Sequence, residues 1–175
     1  MKFRCERDAL VEQLGTASRA VSSRGGALPV LTGIHLKANE DALTMTGSDL
    51  EITVKASVPV AVLEPGEAVL PSRIAVDIIR SLDSGAIEVE VTGEEAKISG
   101  GRSQFSVRTL PVDDFPSLSD PTGDEVTVAT SDLAAGLKQV VRAASGDDAR
   151  PILTGVLMSA EDGGLRLVAT DSYRL

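Results

Sequence analysis

The chain has 175 residues, 42% apolar and 25% charged, which suits one large domain or one and a half ordinary ones. No apolar run approaches 18 residues, which excludes a transmembrane helix, and a single cysteine excludes an internal disulfide or a zinc cluster. The net charge of −9 argues against a simple nucleic-acid binder, and without a signal-peptide pattern we expect a cytosolic protein.

The first part of the chain predicts a strand, a helix and further strands. Alternation over 1–6 predicts a half-buried strand, with Cys5 inward as a small core residue. Apolar residues at helical spacing, such as Leu10 and Leu14, predict a helix over 7–21 with one buried face. Alternating or β-branched runs between turn residues predict four strands, over 31–38, 43–46, 51–58 and 61–63.

A second cycle of strand, helix and strands begins at 68–70. Its helix is predicted over 72–82, with Ser72 as the N-cap and Ile74, Ile78 and Leu82 facing inward. Strands follow over 87–91, 95–99 and 104–110, joined by turns at Thr92-Gly93 and Gly100-Gly101. Antiparallel strands with two helices on one side predict an α+β fold.

The sequence contains an internal repeat. Residues 29–49 (PVLTGIHLKANEDALTMTGSD) align with 151–171 (PILTGVLMSAEDGGLRLVATD) without a gap at an offset of 122, with seven identities in 21 positions. The helical segments upstream match at an offset of 123, which indicates a duplicated unit of about 120 residues. Between the copies, 111–125 (PVDDFPSLSDPTGDE) is typical of a linker.

Charge is unevenly distributed between helices and strands. The helical segments 7–24, 72–82 and 131–150 together carry +2, so the rest of the chain carries −11. Arg73 and Arg80 share one helix face, and Lys138 and Arg142 lie opposite Leu133 on another helix. This segregation lets the helical side approach phosphates, although ordinary solvated helix faces would give the same pattern.

Six segments carry a family resemblance, in the family's order across all 175 residues. They are MKFRCERDAL, LPVLTGIHLKA, LTMTGSDLEI, VLPSRIAVDIIRSL, GGRSQFSVRTLPVDDFP and LVATDSYRL. Together they resemble the N-terminal portion of the bacterial DNA polymerase III β subunit family, the β sliding clamps.

The resemblance implies the DNA clamp fold, an α+β fold with antiparallel sheets outside and two helices per repeat on the inner side. In that family three such domains make one chain, and two chains close into a ring. Residues 1–118 would be a complete domain 1, 119–125 a linker and 126–175 the first part of domain 2, with domain 3 absent. We therefore expect a truncated chain or a proteolytic fragment.

The same resemblance implies a processivity factor without catalytic residues, cofactor or metal. Such a ring encircles double-stranded DNA independently of sequence and tethers the replicative polymerase. The implied partners are the DNA polymerase III α subunit, the clamp-loader δ subunit, other proteins with a clamp-binding motif, and a second copy of the full-length chain. No membrane partner is implied.

Carried over to this sequence, Arg24 and Arg73 match DNA-contacting arginines, while a solvated loop charge is the plain alternative for Arg24. Where the family's type member has adjacent tyrosines, this chain has Pro151-Ile152 preceded by Arg150, which would attract phosphate instead of stacking on bases. Phe105 matches a hydrophobic residue at the dimer seam, and a core aromatic is its alternative.

Six residues match one side of the family's peptide-binding pocket: Leu153, Thr170, Ser172, Tyr173, Arg174 and Leu175. The two leucines would form an apolar floor, and Thr170 and Arg174 would donate hydrogen bonds to an extended peptide. Ser172 and Tyr173 replace a Gly-His pair of the type member. Because domain 3 supplies the other wall, we expect this chain to bind such peptides poorly.

Two other classes of function remain as alternatives. Asp49 and Asp171 could suggest an enzyme with paired carboxylates, but their recurrence at the repeat period favours a turn role in each copy. His35, alternating with Lys37 on a strand, is predicted to face solvent rather than act as a base. The third possibility is a repeat scaffold that acts only through protein contacts.

Overall fold

The computed structural model describes residues 1–22, 28–118, 122–123, 125–161 and 163–174. The chain divides into two compact units, Met1–Leu118 and Ser119–Leu175. None of the helices within the described residues is long and apolar enough to cross a membrane.

Strands of the first unit form two antiparallel sheets. The strands are β1 (Lys2–Glu6), β2 (Gly33–Asn39), β3 (Ala42–Ser48), β4 (Thr53–Pro59), β5 (Ala61–Glu64), β6 (Gly66–Pro71), β7 (Ala86–Thr92), β8 (Glu95–Gly100) and β9 (Ser103–Arg108). One sheet has the order β5-β1-β7-β8-β9 and the other β4-β3-β2-β6. The two predicted glycine turns each lie one residue later than predicted, at 93–94 and 101–102, because Thr92 and Gly100 are the last residues of their strands. Gly93 and Gly101 both have φ of 58°, which glycine adopts without steric cost.

The predicted alternation of β1 is confirmed. Phe3 and Cys5 are buried, and burial raises the pKa of the Cys5 thiol to about 12. On the outer side, the Lys2 ammonium lies 3.0 Å from Glu88 and 2.9 Å from Glu90. The Arg4 guanidinium, and then Lys2, hold the pKa of Glu88 below its usual value.

The first helix, α1 (Arg7–Ala17), is shorter than predicted. Its last turn tightens into a 3₁₀ turn over Ser18–Ala20, so the regular helix ends before Val21. Leu10 and Leu14 are buried, as predicted.

The second helix, α2 (Ser72–Ser81), buries a different face from the predicted one. Its buried residues are Ser72, Ala75, Val76 and Ile79. These occupy positions i, i+3, i+4 and i+7, so the true stripe includes small residues, whereas the prediction selected large ones. Ile74 is 51% exposed and Ile78 is partly buried; only Leu82 of the predicted set is fully buried. Pro71 takes the N-cap position, and Ser72 makes no capping hydrogen bond because it is already inside the helix.

One hydrophobic core joins both sheets and both helices of the first unit. Its large, fully buried members include Phe3, Leu10, Leu14, Ile34, Leu43, Met45, Leu70, Ile79, Leu82, Ile87 and Ile98. The helices α1 and α2 also pack against each other, which leaves their outward faces side by side.

The segment after β9 is packed rather than free. We call residues 110–118 the strap. Leu110, Val112 and Phe115 pack on a small cluster of Val30, Leu31 and Val69. The backbone N–H of Leu110 donates to the Val69 carbonyl at 2.8 Å, and a 3₁₀ turn covers Val112–Asp114. The prediction of a linker over 111–125 is therefore wrong for its first part, because three apolar anchors are interspersed among the prolines and aspartates.

The second unit repeats the beginning of the first. It contains α3 (Thr130–Val140), 3₁₀ turns at Val141–Ala143 and Pro151–Leu153, and a hairpin of β10 (Leu157–Glu161) and β11 (Gly164–Val168). On α3, Leu133 is partly buried while Lys138 is exposed, and Arg142 just beyond the helix is also exposed, as the predicted faces require.

Candidate nucleic-acid and peptide sites

Two exposed arginines lie on the outer face of α2. Arg73 and Arg80 are seven residues apart, two turns of helix, with exposed Asp77 between them. They line a cavity of about 480 Å³ together with four hydroxyl side chains, those of Ser18, Ser22, Thr32 and Ser72. Guanidinium and hydroxyl groups are the side chains that most often contact phosphate oxygens.

The structure describes only one of the two arginines that the family resemblance matches to DNA contacts in the first unit. Arg73 lies in this cavity, and Arg24 falls outside the described residues. Sequence reasoning did not single out Arg80 as a site residue, although its spacing from Arg73 was the available signal.

Arg150 is held within the second unit. Its Nε lies 3.4 Å from Asp147 Oδ2, and its Nη1 donates to the Ser172 hydroxyl at 3.2 Å. The structure therefore brings a predicted DNA residue into contact with a predicted pocket residue 22 positions away. The Asp147 carboxylate offsets part of the arginine's charge, and the Ser172 hydroxyl helps to fix the direction of its guanidinium group.

The predicted pocket residues lie on two short segments. Leu153 is half-buried in a 3₁₀ turn, and Thr170, Ser172 and Arg174 belong to the turn 170–174 that follows β11. Leu175 falls outside the described residues. Tyr173, which is 93% exposed, belongs to the same turn.

The turn 170–174 is organised by its first two side chains. The Asp171 carboxylate accepts hydrogen bonds from the backbone N–H groups of Tyr173 and Arg174, both at 3.0 Å. The Thr170 hydroxyl accepts from the N–H of Ser172 at 3.0 Å and donates to the Arg174 carbonyl at 2.7 Å. The Thr170 proton is thus used inside the turn, so the expectation that it donates to a peptide is wrong for this conformation.

Arg174 is also tied to the turn. Its Nε donates to Asp171 Oδ2 at 2.9 Å. The N–H of Tyr173, followed by the contacts from Arg174, holds the pKa of Asp171 below its usual value. This carboxylate is a backbone-organising group that stays ionised, not a candidate general base.

The same turn occurs in the first unit at 48–52. The Asp49 carboxylate accepts from the N–H groups of Glu51 at 3.0 Å and Ile52 at 2.7 Å, which lowers the Asp49 pKa. The Ser48 hydroxyl takes the place of Thr170, accepting from Leu50 at 3.1 Å and donating to the Ile52 carbonyl at 3.2 Å. The predicted turn role of Asp49 and Asp171 is confirmed.

Backbone angles repeat with the hydrogen bonds. Leu50 has φ of 77° and Ser172 has φ of 78°, an uncommon left-handed conformation for residues other than glycine. The 3₁₀ turns before β2 and β10 also match: Thr32 Oγ1 donates to the Pro29 carbonyl, and Thr154 Oγ1 to that of Pro151, both at 2.8 Å.

Phe105 lies on β9, the outermost strand of the five-stranded sheet. Its cross-strand partner is Ile98, and its side chain is 38% exposed. An aromatic side chain at this exposure on an edge strand is available for contact with another chain.

His35 does not face solvent freely, contrary to the prediction. Its ring stacks on Phe115 of the strap, with ring centroids 5.1 Å apart, and its Nε2 lies 3.1 Å from Glu67 Oε2. Packing of the strap on β2, which single-strand alternation cannot reveal, is the reason. Among the described residues, no cluster of three or more His, Cys, Asp or Glu side chains could hold a metal.

Comparison with known proteins matches both units to one family. The sequence-family model for the DNA polymerase III beta subunit, N-terminal domain, matches residues 1–119, and the family model for the central domain of that subunit matches residues 127–175. The chain is 37% identical to the beta sliding clamp of Streptomyces coelicolor over 99% of this chain and 46% of that protein. It is 35% identical to that of Bacillus subtilis over 100% of this chain and 49% of that one.

Solved structures give the same relation. The DNA polymerase III subunit beta of Pseudomonas aeruginosa has a TM-score of 0.89 at 34% identity, covering 99% of this chain and 48% of that one. The Bacillus subtilis sliding clamp has a TM-score of 0.88 at 35% identity, covering 98% and 48%. The chain thus spans about half the length of these relatives. It has the clamp fold and belongs to the DNA polymerase III beta subunit family, the bacterial β sliding clamps.

Proposed function

We propose that the protein serves as a sliding clamp, a non-catalytic processivity factor that encircles double-stranded DNA and tethers the replicative polymerase. The observation that carries the proposal is the duplicated unit, whose helices, hairpins and five-residue turns recur within one chain of this family. In this proposal residues 1–118 are a complete clamp domain and 126–175 the first part of a second. The proposed setting is the bacterial cytoplasm.

DNA is proposed to lie against the helical face of each clamp domain, which α1 and α2 form in the first unit. The cavity containing Arg73 and Arg80 supports phosphate contacts, since its lining offers two guanidinium groups and four hydroxyls against one carboxylate, that of Asp77, and no aromatic ring. From the family resemblance, Arg24 is proposed to add a contact, and Arg150 is proposed to add one from the second unit. Such contacts carry no sequence information, which suits a protein that must slide.

Partner proteins are proposed to bind at the second copy of the turn. Leu153 supplies apolar surface, and Ser172, Tyr173 and Arg174 form the adjoining rim. Leu175 is included in this proposal on the family resemblance alone. The proposed ligands are extended peptides from the DNA polymerase III α subunit, the clamp-loader δ subunit and related proteins. The rigid turn favours such binding because its backbone needs little reordering.

Ring closure is proposed to use the β9 edge. An exposed Phe105 on an edge strand suits pairing with a strand of a second full-length chain. Two chains would then form a closed, homodimeric ring.

Retention on DNA of different topology tests the proposal. Protein isolated from its own cells would be loaded onto nicked circular duplex DNA, and its release would be followed before and after one double-strand cut. A clamp stays on the circle and leaves once ends exist, because topology rather than affinity holds it. Equal loss from circular and linear DNA contradicts the proposal, and partner binding without any DNA retention favours the protein-only scaffold.

A further inference from the structure

The strap covers the chain's single histidine. His35 points outward from β2, yet its side chain is only 18% exposed because the Phe115 ring lies over it at an interplanar angle of 21°. Val112 and Phe115 anchor the strap on the cluster of Val30, Leu31 and Val69. The ring contact between His35 and Phe115 is therefore part of the surface that holds the strap.

Three charged groups face the His35 ring. From β6, Glu67 places one carboxylate oxygen 3.1 Å from His35 Nε2 and the other 2.7 Å from the Lys37 ammonium. From β4, Lys55 lines the same groove of about 390 Å³. Lys37, followed by His35, holds the pKa of Glu67 below its usual value, so this carboxylate is ionised at neutral pH.

We propose that protonation of His35 tightens the docking of the strap on β2, which makes the strap a pH-responsive latch at the end of the first unit. Imidazole is the ordinary side chain that changes charge between about pH 5 and 8. A protonated ring interacts more favourably with the face of Phe115, by cation–π attraction, than a neutral ring does. The strap supplies Phe115, so this gain is lost when the strap lifts away.

Two contributions oppose this gain. The strap covers the ring and removes hydration from its charged form, a cost that the ionised Glu67 carboxylate beside Nε2 offsets. The two lysines repel a charged imidazole, but Lys37 is already paired with Glu67, whose second oxygen is in direct contact with His35. The bond to Glu67 becomes charge-assisted on protonation and holds the ring in the stacked position. A cation–π gain at a partly exposed site corresponds to about a two- to fivefold change in the equilibrium constant for docking of the strap.

Hydrogen exchange measures the latch directly. The Leu110 amide of the strap donates to the Val69 carbonyl of β6 at 2.8 Å, so its protection reports docking. Exchange would be followed at pH 5.5 and pH 8.0 and corrected for the intrinsic rate, with the Val60 amide, which donates to the Asp41 carbonyl at 2.8 Å, as reference. We expect Leu110 protection to be about two- to fivefold greater at pH 5.5, with Val60 unchanged.

Two variants separate the latch from general pH effects. His35→Gln keeps a donor for Glu67 but does not titrate, and Phe115→Leu keeps an apolar anchor but removes the ring. Both should abolish the pH dependence while thermal unfolding shows that each variant is folded. Equal protection at the two pH values, weaker protection at pH 5.5, or pH dependence that survives in His35→Gln overturns the proposal.

Discussion

Replacing Arg73 and Arg80 with glutamine tests whether the α2 face contacts phosphates. Glutamine keeps a polar side chain of helical propensity similar to arginine but removes the charge, so the exposed helix face should tolerate it. Arg102→Gln is the matched control, because Arg102 is also an exposed arginine but belongs to the turn between β8 and β9 and not to α1 or α2. We expect the double variant, and not the control, to lose DNA affinity.

The size of the loss follows from counterion release. Each phosphate contact contributes about 0.9 to the slope of log affinity against log salt. Removing two contacts should therefore reduce that slope by about 1.8. Between 50 and 200 mM salt, the fall in affinity should then be about 12-fold smaller for the double variant than for the unaltered protein.

The slope is obtained by measuring binding to a short duplex by fluorescence anisotropy at several salt concentrations. The single variants should each reduce it by about half as much as the pair, since the side chains are two helical turns apart. An unchanged slope in the double variant, or an equal reduction in Arg102→Gln, would show that the α2 face does not contact phosphates.

Three further predictions concern stability and reactivity. Gly47→Ala should destabilise the first unit by about 3 kcal/mol in urea unfolding, because its Cβ would stand 2.1 Å from the Ala17 carbonyl oxygen. The matched Gly15→Ala change in α1 should stabilise it by about 0.5–1 kcal/mol, since only an ordinary contact forms there; equal effects would refute the steric argument. Cys5 should react with a disulfide reagent at pH 8 roughly a thousandfold more slowly than a free thiol, given its pKa of about 12, and fast labelling of the folded protein would contradict this. Glu88, whose pKa is lowered from 4.5, contributes stability that is present above about pH 4.5 and lost below it, so Glu88→Gln should show a smaller drop in urea midpoint between pH 6 and pH 3.5.

Local pattern was enough to predict much of the first unit. Alternation located β1 and its inward Cys5, and glycines located the turns after β7 and β8 to within one residue, because both features depend on neighbours along the chain. The inward face of α2 was predicted wrongly since it depends on how closely α1 approaches. The small Ala75 is buried, whereas the larger Ile74 is 51% exposed.

The candidate site residues show the same difference between local features, which the sequence predicts, and contacts between distant residues, which it does not. The repeat predicted the turn role of Asp49 and Asp171, since one side chain bonding two nearby N–H groups is a local arrangement. The contact from Arg150 to Ser172 spans 22 residues, and no periodicity reports it. The ring contact between Phe115 and His35 joins residues 80 positions apart. The sequence around Phe115, taken alone, therefore indicated a linker.

Comparison of the two turns explains how one backbone can serve different roles. In both copies an aspartate and a hydroxyl satisfy the turn's own N–H and carbonyl groups, so its shape does not depend on the remaining side chains. Those positions carry Leu50 and Ile52 in the first copy but Ser172 and Arg174 in the second. Only the second copy can form a polar link to the arginine before the 3₁₀ turn, because the first has Leu28 there. The two copies therefore share one turn, held by the same backbone hydrogen bonds, and differ in the side chains at its third and fifth positions, which are apolar in the first copy and polar in the second.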